Sequence, residues 1–174
     1  MELYEAIKNR RSIRHYEKRE VEKAKLDKIL DVAHLAPSAK NIQPWKVLVV
    51  TDDELKKGLV EGAKGQEFLR EAYCIIVVCV NEKDCYQTLG DYMTSFAVDG
   101  AIFIDHLTLA AYAEGLGTCW IGKFSEDKVK KLLGIPDPYR VVGMTPLGYP
   151  ATKGESRGRK PLDEIVYYNK WESN

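Results

Sequence analysis

The segment Tyr73–Val80, YCIIVVCV, carries no charge and alternates nothing: it is apolar on both of the faces an extended chain would present. Such a run is too short to span a bilayer and is rich in β-branched residues, so it reads as a strand covered above and below. A chain with such a strand must supply helices for both sides of a sheet. Lys46–Val50 (KVLVV) reads as a second, shorter strand. Cys74 and Cys79 sit at an odd offset in the first run, so their side chains leave opposite faces and cannot converge on one metal ion.

The helices follow from periodicity. Leu3–Lys8 reads as a short helix. Val21–Ala36 reads as a longer one, with Leu26, Ile29, Leu30 and Ala33 on one face and Pro37 as its stop. Tyr92–Glu114 is a long, mostly apolar helix ended by Gly115, and its Ala, Thr and Gly content allows another helix to approach closely. Thr118–Ile121 and Val141–Tyr149 are further strands; Ser125 caps a helix that runs to Leu133 and stops at Gly134. The order lacks a βαβ rhythm. The expected fold is therefore α+β: a small, mostly antiparallel sheet flanked by helices, with residues 1–174 forming a single domain.

With 26 basic and 26 acidic residues, the chain has no bulk field to draw it to nucleic acid or an anionic membrane. Any anion must be held by a local cluster. The N-terminal MELYEAIKNRRSIRHY has no unbroken apolar run that could act as a signal peptide, and the four unevenly spaced cysteines fit reduced thiols. A cytoplasmic protein is expected.

Three segments hold groups that could bind a ligand. Arg10, Arg11 and Arg14 surround Ser12 just after the first helix; guanidinium groups pair with phosphate through charge-assisted hydrogen bonds. A solvated basic turn is the other reading. PSAKNIQPW, Pro37–Trp45, joins two backbone-restricting prolines to Ser38, Asn41 and Gln43, whose neutral donors and acceptors suit a heterocycle's edge, or it is only a rigid loop. EGLGTCWIG, Glu114–Gly122, has the glycines of a dinucleotide loop but in the wrong context, after a helix and before a strand. There Gly115 reads as a helix C-cap, and Gly117 and Gly122 as places where a flat ligand could approach the backbone. RGRKP, Arg157–Pro161, adds positive charge near the C-terminus.

RRSIRHY, APSAKNIQPW, GLGTCWIG, PLGYP and RGRKPLDEIV, in this order, resemble the nitroreductase family from about Leu3 to Val166. The resemblance implies an FMN flavoprotein that uses NADH or NADPH, with an α+β fold and a domain-swapped homodimer whose flavins lie between subunits. It implies that Arg10, Ser12, Arg157 and Arg159 hold the phosphate, while Arg11 and Arg14 reach the ribityl chain and the pyrimidine edge. The partner chain would supply Pro37, Ser38, Ala39 and Asn41. The backbone of Cys119, Trp120, Ile121 and Gly122 would lie near the flavin N5, which carries the hydride chemistry, so no side chain is assigned as catalytic. Gln66, in GAKGQEF, is a further binding candidate.

Acceptors would be small and flat, such as nitroaromatics or quinones. Asp105–His106 departs from the Gln–Asn-like pair of many relatives, and the short chain leaves little room for helices that cover the substrate. A flavin-storing dimer without turnover is the non-enzymatic alternative. No G-x-S-x-G elbow is present, and no metal is expected. Asp99 and His106, spaced to share a helical face, read as satisfied polar residues, and Cys119 as a packing residue. Tyr167, Tyr168 and Trp171 fit a C-terminal arm laid on the partner.

Overall fold

The computed structural model describes residues 2–171. Four strands form one sheet in the order β1-β2-β4-β3, with every neighbouring pair antiparallel. β2, Cys74–Asn81, runs between β1, Trp45–Val50, and β4, Tyr139–Gly148; β3, Gly117–Thr118, closes the far edge. Cys74 through Val80 are all buried. Cys74, Ile76 and Val78 point into one core and Ile75, Val77 and Cys79 into the other, as a strand covered on both faces requires. A bulge between Val78 and Cys79 shifts the register against β4.

Helices α2, Lys23–Ala33, and α4, Phe96–Ala113, cover the first face, with Ile29, Phe103, Ile104 and Leu107 in the core. Helices α3, Asp53–Gly62, and α5, Glu126–Leu133, cover the second through Leu59, Val60 and Val129. The short α1, Leu3–Asn9, precedes them. The α+β architecture expected from the sequence is the one present.

Several boundaries differ from expectation. α4 begins at Phe96, not Tyr92, because Gly90 and Asp91 adopt left-handed angles in a turn closed by the Leu89–Met93 bridge. α4 packs against α2, as its small residues led one to expect, and it also comes close to β4: a Cβ on Gly100 would lie 2.6 Å from the Val142 side chain. α4 is long and apolar enough to cross a membrane, yet here its buried face packs on the sheet. α2 ends at Ala33, three residues short of the expected Ala36, and the third strand is only Gly117–Thr118 with an isolated bridge from Ile121 to Met144. Ser125 occupies the α5 N-cap position without a side-chain capping bond, whereas Gly134 takes the expected left-handed stop at φ +65°. Helix α3 was not expected; its signal is Asp52, whose carboxylate accepts from the Leu55 N–H at 2.9 Å, ahead of Leu55, Leu59 and Val60.

Candidate functional site

After α1 the backbone extends and joins the sheet edge. The Ile13 N–H donates to the Thr118 carbonyl at 2.9 Å, and Ser12 forms a parallel bridge with Thr118. Ile13 and Tyr16 turn inward and are buried, while Arg10, Arg11, Ser12 and Arg14 line a cleft. The Tyr16 hydroxyl donates to the Ile13 carbonyl at 2.8 Å, and burial drives its phenol well above the usual range.

The C-terminal loop reaches the same place by pairing with this segment. Glu17 donates to the Tyr149 carbonyl and Ala151 to the His15 carbonyl, each at 2.9 Å, and Tyr16 bridges Pro150. Gly154 then presses against the arginine segment. A Cβ there would lie 2.6 Å from the Arg11 Cβ and 3.0 Å from the Ser12 carbonyl oxygen. Arg157 and Arg159 follow onto the same wall, completing a cleft of about 410 Å³ with Glu155 as its one carboxylate. None of these five arginines is ion-paired among the described residues. Arg11 does spend Nη1 on the carbonyls of Lys8 and Arg10, at 2.7 and 2.8 Å, so part of its donor set already serves the end of α1.

The other candidates lie elsewhere on the chain. Pro37, Ser38, Ala39 and Asn41 do not line this cleft; they form a tight loop after α2. Its polar groups bond in part with one another. The Ser38 hydroxyl accepts from the Gln43 N–H at 2.9 Å, and the Gln43 side-chain amide donates to both oxygens of Asn41 at 3.1 Å. Asp99 anchors the loop by accepting from the Ala39 N–H at 2.9 Å. It makes no pair with His106, whose Nδ1 lies 3.2 Å from the Ile102 carbonyl. Gln66 donates to the carbonyls of Ala63 and Lys123, at 2.9 and 3.1 Å, and so ties two loops together.

Cys119–Gly122 runs extended beside β4, and its amides divide by alternation. The Cys119 N–H donates to the Thr145 hydroxyl at 3.2 Å and the Ile121 N–H to the Met144 carbonyl at 2.8 Å. The N–H groups of Trp120 and Gly122, between them, have no acceptor among the described residues, and both residues are exposed. Gly117 lets the chain rest on Ile13, whose side chain a Cβ there would meet at 2.7 Å. Gly115, at φ +78°, is the left-handed residue that ends α4.

The nitroreductase family model matches residues 7–65 and 60–149. A putative NADH dehydrogenase/NAD(P)H nitroreductase of Methanothermobacter thermautotrophicus is 35% identical over 175 residues, covering 98% of this chain and 88% of that protein. A crystal structure of a nitroreductase family protein from Clostridium difficile 630 superposes with a TM-score of 0.89 at 32% identity, covering 98% of this chain and all of that one. The NADPH:FMN oxidoreductase of Vibrio harveyi, solved with NAD+, has a TM-score of 0.89 at 26% identity; the match covers 99% of this chain and 79% of that enzyme. The arginine-lined edge, the loop after α2 and the extended segment beside β4 are thus set on a shared frame, and the chain belongs to the nitroreductase family.

Proposed function

We propose that the protein is an FMN-dependent NAD(P)H:acceptor oxidoreductase of the nitroreductase and quinone-reductase type, acting as a cytoplasmic homodimer. The observation that carries this reading is the convergence of Arg10, Arg11, Arg14, Arg157 and Arg159 with Ser12 on one cleft. In a chain with balanced charge, five guanidinium groups around a single depression suit a phosphate ester. The residues fit FMN: Arg10, Ser12, Arg157 and Arg159 would hold the phosphate, and Arg11 and Arg14 the ribityl chain and the pyrimidine edge. Gly154 fits as well, because any side chain there would force the two arginine-bearing segments apart.

FMN supplies hydride exchange at its N5, chemistry that no side chain of this protein can perform. The residues have the tasks of binding, orienting and electrostatic tuning. A cation such as Arg14 at the pyrimidine edge stabilises negative charge there. The outward N–H groups of Trp120 and Gly122 are the donors that the Cys119–Gly122 segment can offer to the ring. NAD(P)H and acceptor would use one groove in turn, in ping-pong order.

Pro37, Ser38, Ala39 and Asn41 would come from the partner. Exposed apolar side chains support a dimer: Leu3, Tyr4 and Ile7 on α1, and Leu162, Ile165, Tyr168 and Trp171 near the C-terminus. All four cysteines are buried and free, which suits a reducing compartment. Purified protein loaded with FMN should consume NADH or NADPH steadily when a quinone or nitroaromatic is added. One stoichiometric reduction followed by no turnover would instead establish a flavin-storing dimer.

A further inference from the structure

Asp99 lies on the first turn of α4 and is 1% exposed, on a helix whose other buried side chains are mostly apolar. Burying a carboxylate there is costly unless its oxygens are satisfied, and an apolar residue would pack the same space without that cost. Its oxygens are satisfied by two partners. Oδ2 accepts from the Ser95 hydroxyl at 2.6 Å, and Oδ1 accepts from the Ala39 N–H at 2.9 Å. Ser95 is itself fully buried; its Oγ accepts from the Tyr86 N–H at 3.1 Å, and its own N–H donates to the Tyr86 carbonyl at 2.8 Å. One buried pair therefore clamps the backbone of two loops that are far apart in sequence.

The loop held through Ala39 has an uncommon backbone. Lys40, Asn41 and Gln43 all adopt left-handed angles, with φ of 52°, 56° and 54°. Three non-glycine residues in that region within four positions persist only where the surroundings over-determine them. Within the loop, the Ser38 hydroxyl and carbonyl accept from Gln43 and Asn41. The hold from the protein interior is the Asp99 carboxylate on the Ala39 amide.

We propose that Asp99, oriented by Ser95, is a positioning residue for flavin binding: it fixes the Ala39 amide and thereby the presentation of Ser38–Asn41 to the neighbouring protomer's cofactor. This rests on the function proposed above, in which that loop completes the flavin groove of the other subunit. The contribution is one of preorganisation, since Asp99 is buried and acts through the Ala39 amide that it holds.

The test uses the FMN-loaded dimer. Dissociation constants come from the rise in flavin fluorescence on dilution, and backbone exchange of residues 37–43 is followed by hydrogen–deuterium exchange. Asp99→Leu should weaken FMN binding about tenfold or more and speed exchange in that loop. Asp99→Asn keeps an acceptor for Ala39 and should restore most of the affinity, with Ser95→Ala between the two. Val129→Ala, in the core of the opposite face, controls for general destabilisation and should leave affinity unchanged. The proposal is overturned if Asp99→Leu binds FMN as the wild type does, or if Val129→Ala loses affinity in step with it. Should Asp99→Leu fail to fold, unchanged binding and exchange in Ser95→Ala overturn it equally. A wild-type protein that takes up no FMN strikes at the proposed function, a result distinct from either.

Discussion

Gly154 is the residue on which the cleft geometry turns. Its missing Cβ lets the C-terminal loop rest on Arg11 and the Ser12 backbone, with gaps of only 2.6 and 3.0 Å to a hypothetical methyl group. Gly154→Val should push Arg157 and Arg159 away from Arg10 and lower FMN affinity about tenfold or more, while the melting temperature changes little because the position lies outside both main cores. Titration of flavin fluorescence checks this. The thiols make a second test at this scale. Burial pushes the Cys74 thiol up to about 12 and Cys79 to about 11, so little thiolate exists at neutral pH. With all four cysteines buried, a disulfide reagent should label the native protein slowly and four thiols per chain after denaturation; rapid labelling of the native form would contradict the packing.

At the scale of elements, the join between α2 and the end of β4 is polar. The Tyr149 hydroxyl donates to Glu22 at 2.6 Å and accepts from Lys25 at 2.9 Å, while the Arg19 guanidinium lies 3.7 Å from the centre of the Tyr149 ring. The bond from Tyr149 holds the Glu22 carboxyl down at about 2, against an ordinary value of 4.5. A depressed carboxyl contributes stability that is present above about pH 4.5 and is lost as pH falls towards 2. Glu22→Gln should therefore flatten the fall in melting temperature across that acid window. The exposed position keeps the effect small and salt-sensitive.

Element identity was legible wherever periodicity was strong. The doubly apolar YCIIVVCV located β2 and required both helical layers, and Gly134 located the end of α5. α3 escaped because its pattern is diluted by charge: Lys56 is buried, yet reads as surface until its amine is seen on the Asp53 carboxylate and the Ala72 carbonyl. The start of α4 was misplaced because Tyr92 and Met93 extend the helix's apolar pattern backwards, whereas Met93 is bonded to Leu89 across the turn at Gly90–Asp91. The arginine cluster was legible as a composition, but its union with Arg157 and Arg159 depends on pairing between residues near 16 and 150, which no local pattern carries. Asp99 is the satisfied polar residue the sequence suggested, but its partners, the Ser95 hydroxyl and the Ala39 amide, could not be read from helical spacing, because Ala39 comes from another loop.

For the whole molecule, the proposed function needs two chains per functional unit. The arginine cleft and the loop after α2 belong to different regions of one protomer, and residues 162–171 leave Leu162, Tyr168 and Trp171 exposed, with the Tyr167 and Trp171 rings stacked at 4.7 Å. Truncation after Pro161 should weaken the dimer and release flavin together, measured by sedimentation and by absorbance of the same sample. A truncated dimer that kept both would defeat the arm-exchange reading. The most direct test of the central claim is an absorbance spectrum of the purified protein from the near ultraviolet to the blue, repeated after anaerobic addition of NADH or NADPH. Two flavin bands that bleach on addition are expected; a colourless protein that takes up no added FMN, or bound flavin that stays oxidised, would overturn the proposed function.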